Sequence, residues 1–208
     1  MKIKELSSVL SVIADKMAEN RDYLISLDQQ NGDGDLGISM SDGYGAVAAF
    51  LKDCGTEDLG VALNKAANVF NENAPSSLGT ITAFIMKGMA KTLKGKTEAS
   101  CAEMGSAILA GLANVSEKAG SKQGEKTILD AVYPGAEALV AFAGEGAAAA
   151  AEKAAAAAAA GSEATREMRA VWGRAAYFGE KSIGILDGGS VAGRLVFEAI
   201  NDWAKAQA

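Results

Sequence analysis

Ile3-Lys4-Glu5-Leu6-Ser7-Ser8-Val9-Leu10-Ser11-Val12-Ile13-Ala14-Asp15-Lys16-Met17 carries Ile3, Leu6, Leu10, Ile13 and Met17 at spacings of three and four. An α-helix turns once in 3.6 residues, so these five side chains share one apolar stripe. Working outward, the same period returns in Leu59, Leu63, Ala66 and Phe70, in Ile81, Phe84, Ile85, Gly88 and Met89, and in Val191, Leu195, Ile200 and Trp203. Further helices are expected from near Ser41 to before Gly55, from Thr56-Glu57-Asp58 onward, from Ala99 to Lys118, through Ile128 to Val140, from Glu145 to Met168 and from Ser190 to Lys205. Asn31-Gly32-Asp33-Gly34-Asp35, Asn73-Ala74-Pro75-Ser76-Ser77 and Gly120-Ser121-Lys122-Gln123-Gly124 read as loops. Tyr23 to Leu27 is a short apolar piece, and Arg174 to Gly189 a long connection. Period-two alternation is weak throughout. Residues 1–208 therefore predict one all-α domain of about eight helices.

Composition agrees. Hydrophobic residues make up 49% of the 208 but aromatics only 6%, so the core must come from aliphatic side chains and close Ala packing, which suits helices. The net charge of -6, without a basic run, argues against nucleic-acid binding. Cys54 and Cys101 stand far apart and outside any CxxC, which argues against a disulfide framework or zinc ribbon. The Met1-Lys2-Ile3-Lys4-Glu5 start lacks an apolar leader, and Glu152 and Lys153 break the Ala-rich stretch 147–160. No membrane association and a cytoplasmic location are expected. The chain has no histidine, so any chemistry must run on carboxylates, Lys, Arg, hydroxyls, backbone amides or a metal ion.

Leu27-Asp28-Gln29-Gln30-Asn31-Gly32-Asp33-Gly34-Asp35-Leu36-Gly37 is the most informative segment for function. It sets three carboxylates within eight positions, and like charges so close repel unless a cation sits among them. Gly32 and Gly34 let the backbone turn tightly enough to aim all three at one point. Oxygen donors without His or Cys suit a hard cation, magnesium or calcium. A solvated Gly/Asp turn is the bland reading. An EF-hand pattern fails, with Leu36 where Gly is needed and Asp42 where Glu is needed. Ser76-Ser77-Leu78-Gly79-Thr80 precedes a helix and offers hydroxyls and free N–H groups to an anion, or a plain helix cap; it lacks the Lys of a P-loop.

Three segments in order carry a resemblance. The acidic loop is similar to LDxxIGDGDHG, Gly120-Ser121-Lys122-Gln123-Gly124-Glu125-Lys126-Thr127-Ile128-Leu129-Asp130-Ala131 to GxKPGDKTMLDA, and Gly173-Arg174-Ala175-Ala176-Tyr177-Phe178-Gly179-Glu180-Lys181-Ser182-Ile183-Gly184-Ile185-Leu186-Asp187-Gly188-Gly189-Ser190 to GRASYLGERSIGHxDPGA. These are motifs of the nucleotide-binding L subunit, or L domain, of the dihydroxyacetone kinase family. The resemblance spans almost the whole chain. It implies a barrel of eight antiparallel amphipathic helices with the nucleotide in loops at one end.

By the same resemblance Asp28, Asp33 and Asp35 would hold two magnesium ions against the phosphates of ADP or ATP. Leu36, Gly37, Ile38, Ser39, Ser76 and Ser77 would line phosphate or ribose contacts. Gly120 would belong to the same site, Ile128 would touch the base, and Arg174, Asp187, Gly188 and Gly189 would close it. No side chain of this chain is assigned as catalytic. In that family the ketose is held through a histidine by a separate K subunit or domain, so a K-type sugar-binding partner is implied. A phosphotransferase-system donor protein and a homodimer stay open. Leu36 stands where the family has His, and Gly184 or Ile185 where it has a second; the serine loop is shorter than usual. The expected activity is phosphoryl transfer to dihydroxyacetone or a related small ketose. The alternatives are a nucleotide-loaded module that binds a regulator, and a calcium-binding structural domain.

Overall fold

The computed structural model describes residues 1–207. Among them are nine α-helices: α1 (Ile3–Glu19), α2 (Arg21–Asp28), α3 (Leu36–Leu51), α4 (Leu59–Asn73), α5 (Ser77–Leu93), α6 (Cys101–Ala119), α7 (Leu129–Ala141), α8 (Ala147–Ala164) and α9 (Gly188–Ala206). The apolar stripe of α1 buries Ile3, Leu6, Leu10, Ile13 and Met17, the five residues of the opening period. Caps set several helix starts: the Asp58 carboxylate accepts from Val61 N at 2.9 Å, and Ser76 Oγ from Gly79 N at 3.1 Å.

The eight longer helices form a closed ring. α1 packs on α3, each later helix on the next, and α9 returns to α1. Large aromatics fit where facing helices lack a side chain. Phe70 fills the slot at Gly43, where a Cβ would come within 2.7 Å of the ring, and Phe197 does the same at Gly135. In α8 the narrow wall is Ala150, Ala151, Ala154, Ala155 and Ala158, all buried, so the low-complexity stretch is a close-packing surface.

Alternate connections gather at opposite ends, which makes neighbouring helices antiparallel. At one end Ala99 N donates to Met1 O at 2.9 Å, Leu59 N to Lys96 O at 2.8 Å, and Gly95 N to the Asp58 carboxylate at 2.9 Å. The α2–α3, α4–α5, α6–α7 and α8–α9 connections meet at the other. Among the described residues no helix is long and apolar enough to cross a membrane.

Several expected boundaries move, each for a local reason. α3 starts at Leu36 instead of near Ser41, because Asp35 ends the acidic loop at the N-cap position and Gly37 lets the first turn close onto the Arg21 carbonyl of α2. The apolar piece Tyr23 to Leu27 belongs to a helix of its own, α2. Asn73 stays helical, leaving a loop of only 74–76. The Ala-rich helix starts at Ala147, after Gly146 at φ 99°, and ends at Ala164 with a 3-10 turn at Thr165–Glu167. The long connection holds a 3-10 stretch, Arg174–Ser182, bent at Gly179. Gly188 and Gly189 are the first turn of α9, because Asp187 caps it.

Candidate functional site

The four connections at one end enclose a cavity of about 820 Å³. Asp28, Asp33, Asp35, Leu36, Ser76, Ser77, Ile128, Arg174, Asp187, Gly188 and Gly189 all line it. Segments from positions 28 to 189 therefore meet at one rim. Gly37, Ile38, Ser39 and Gly120 are absent from that lining. Gly37 is pressed on α2, Ile38 is exposed, Ser39 is buried, and Gly120 ends α6 in the left-handed conformation at φ 79°.

The acidic loop owes its shape to two glycines. A Cβ on Gly32 would lie 2.7 Å from the carboxyl carbon of Asp28, so only Gly fits there. Gly34 turns at φ 79° and donates its N–H to Asp28 Oδ2 at 2.7 Å. The result is convergence: one carboxylate oxygen from each of Asp28, Asp33 and Asp35 lies within 4.8 Å of the others. Lost hydration, then the charges of Asp33 and Asp28, hold the Asp35 carboxyl above its ordinary range, and Arg174 opposes them. Arg174 pairs with Asp33 at 2.7 Å, both side chains being well exposed.

The donor set is all carboxylate oxygen, its charge is concentrated, and the cluster opens on a cavity. It fits a hard divalent cation such as magnesium. Two helix starts face the same space. α5 begins at Ser77 with free N–H groups in its first turn, and α9 begins behind Asp187. Asp187 accepts from Ser190 N at 2.6 Å, so the same carboxylate also caps α9. The carboxyl keeps some surface open to the cavity, but protein atoms crowd its other sides and push it up to about 7.

Residue reading missed part of the wall. Ile81 and Phe84 extend it as an apolar side, and Trp172 stands beside Gly173 at the mouth. The spacing of Ser77, Ile81 and Phe84 along one helical face was available in the sequence. Nothing periodic marked Lys126 or Trp172, which reach the cavity through long-range contacts.

Fold and site together define a closed helical barrel with an acidic, anion-ready cavity at one rim. Residues 30–202 match the DAK2 domain, and the chain belongs to that family. It is 31% identical to the "PEP-dependent dihydroxyacetone kinase 2, ADP-binding subunit DhaL" of Listeria innocua, over 92% of this chain and 90% of the relative. The Escherichia coli K12 "PEP-dependent dihydroxyacetone kinase, ADP-binding subunit DhaL" is 25% identical over 88% of each chain. Rat "Triokinase/FMN cyclase" is 29% identical over 95% of this chain, which spans 34% of that protein. Among solved structures, the dihydroxyacetone kinase of C. freundii in complex with AMP-PNP and Mg2+ superimposes with a TM-score of 0.75 at 21% identity. The match covers 94% of this chain and 33% of that one, and carries the likeness of fold.

Proposed function

We propose that the chain is the ADP/ATP-binding subunit of a dihydroxyacetone-type kinase, a phosphotransferase with an alcohol acceptor. One observation carries the reading: three carboxylates converge within 4.8 Å on a cavity that two helix N-termini also face. Asp28, Asp33 and Asp35 would hold two magnesium ions, with the nucleotide phosphates at the starts of α5 and α9 and the base against Ile128. Bound magnesium neutralises phosphate charge and supports the transferring phosphoryl group. The residues of this chain would bind and orient the nucleotide. Ser76, Ser77 and the α5 amides offer donors to phosphate oxygens, Arg174 brings a positive charge, and Ile81 and Phe84 give the cavity an apolar side.

The acceptor would be dihydroxyacetone or another three- or four-carbon ketose, held by a separate K-type subunit in the cytoplasm. The absence of histidine from the chain supports that division, since it leaves no residue for a covalent ketose link of the kind implied by the resemblance. The "PEP-dependent" names of the bacterial relatives support an ADP that stays bound and is rephosphorylated by a phosphotransferase-system protein.

Calorimetric titration with magnesium–ADP tests the reading. The wild-type chain binds, and Asp33→Asn loses affinity by about tenfold or more while circular dichroism stays helical. Equal affinity in both chains would overturn the assignment.

A further inference from the structure

Outside the acidic cluster, the least ordinary residue at the rim is Lys126. It is 4% exposed, and among the described residues it alone of the non-glycines has a positive φ, 60°. Both features are unfavourable for a lysine, whose ammonium loses hydration and whose Cβ is crowded in the left-handed region. Its Nζ donates to Thr165 O and to Ile185 O, each at 2.5 Å. These two carbonyls stand at the beginning and the end of the excursion that joins α8 to α9. The ammonium therefore clasps the neck of a loop whose outer part carries Trp172 and Arg174 to the cavity.

Other bonds close the same neck. Gly184 N donates to Arg166 O at 2.8 Å, and Asp187 N to Thr165 Oγ1 at 3.2 Å. The neighbouring residue, Glu125, holds the outer part: its carboxylate accepts from Trp172 Nε1 at 2.5 Å and its carbonyl from Val171 N at 3.4 Å. Consecutive residues of the α6–α7 connection thus grip the tip and the neck of the α8–α9 excursion. The left-handed turn at Lys126 lets side chains from adjacent positions serve two separate places.

We propose that Lys126 is a positioning residue, whose ammonium clasps the Thr165–Ile185 loop and so seats the Asp187-Gly188-Gly189 turn against the rim cavity. It acts through that turn, which lies next to Ile128: a Cβ on Gly189 would sit 3.4 Å from Ile128 N. The nearby Asp187 and Asp130 carboxyl groups favour the ammonium and offset part of its lost hydration, while Arg166 opposes them. The clasp stands on its own. Its bearing on ligand binding rests on the nucleotide reading above.

Two variants separate side chain from backbone. Lys126→Met keeps the bulk and removes the donors; Lys126→Gly also removes the donors but relaxes the left-handed backbone. Hydrogen exchange on the ligand-free chain is the first readout. In both variants the Gly184 and Asp187 amides should exchange about tenfold faster or more, while amides of α1, α3 and α4 keep wild-type protection. Magnesium–ADP titration is the second, with affinity expected to fall by about tenfold in both. Unchanged exchange at 184–187 in either variant, acceleration spread evenly over the barrel, or failure of both variants to fold would each overturn the clasp. Faster local exchange with undiminished affinity would overturn its positioning role. A wild-type chain that binds no magnesium–ADP would sink the nucleotide reading instead, and the exchange comparison would still decide the clasp.

Discussion

At Asp187 burial pushes the carboxyl up to about 7, while the Ser190 amide and the Lys126 ammonium pull the other way. A folded-state value above the ordinary 3.8 means the folded chain keeps a proton that the unfolded chain sheds at lower pH. The associated stability is fully present below about pH 4 and is lost as pH rises through about 7. Asp187→Asn keeps a capping side chain but cannot ionise. Urea unfolding of both chains from pH 4 to 8 should show the wild type losing on the order of 2 kcal/mol relative to the variant, after allowance for the open side of the carboxyl. Subtraction removes the opposite trend of groups such as Glu103, held down to about 2 by Lys96. A flat difference would contradict the burial argument. Arg174 and Asp33 give a contrasting case. Their pair is exposed, so Arg174→Ala should change unfolding stability by less than about 1 kcal/mol while weakening magnesium–ADP binding in calorimetry.

Helix against helix, α5 and α6 approach closely at paired glycines. A Cβ on Gly88 would lie 2.5 Å from Gly111 Cα and 2.8 Å from Ala110 O, so backbone meets backbone there. Gly88→Leu must push the helices apart, and urea denaturation should report a loss of about 2–3 kcal/mol. The helices themselves were legible because a buried stripe must recur with the turn of the helix, as in Leu59, Leu63, Ala66 and Phe70. Their ends were less so. Leu36 to Ser39 reads as loop because a cluster of Asp and Gly precedes it, yet Asp35 stands at the N-cap and Gly37 permits contact with α2. The Gly-rich tail 184–189 likewise conceals a helix start that only the Asp187 cap reveals.

Across the whole molecule, ring closure determines the site. α9 returns to α1, which sets Asp187 at the same rim as Asp28, although they lie far apart in the chain. Asp28, Asp33 and Asp35 could be picked out by their local chemistry, whereas Asp187 stood out only through the resemblance. The ring, and with it the meeting of four connections, followed from the resemblance, with which the helix count agreed. The wall supplied by Lys126 and Trp172 depends on hydrogen bonds between distant segments, which leave no period to read. The proposed division of labour predicts that the isolated chain, given ATP and dihydroxyacetone, shows no turnover in a coupled assay. Adding a sugar-binding K-type subunit should produce it, and robust activity of the chain alone would contradict the scheme. The central claim, that the rim cavity holds a metal–nucleotide, is tested most directly by crystals grown with manganese and ADP. The account predicts anomalous peaks among the Asp28, Asp33 and Asp35 carboxylates, with nucleotide density running from them towards Ile128. Peaks at other carboxylates, or nucleotide bound away from this rim, would contradict it.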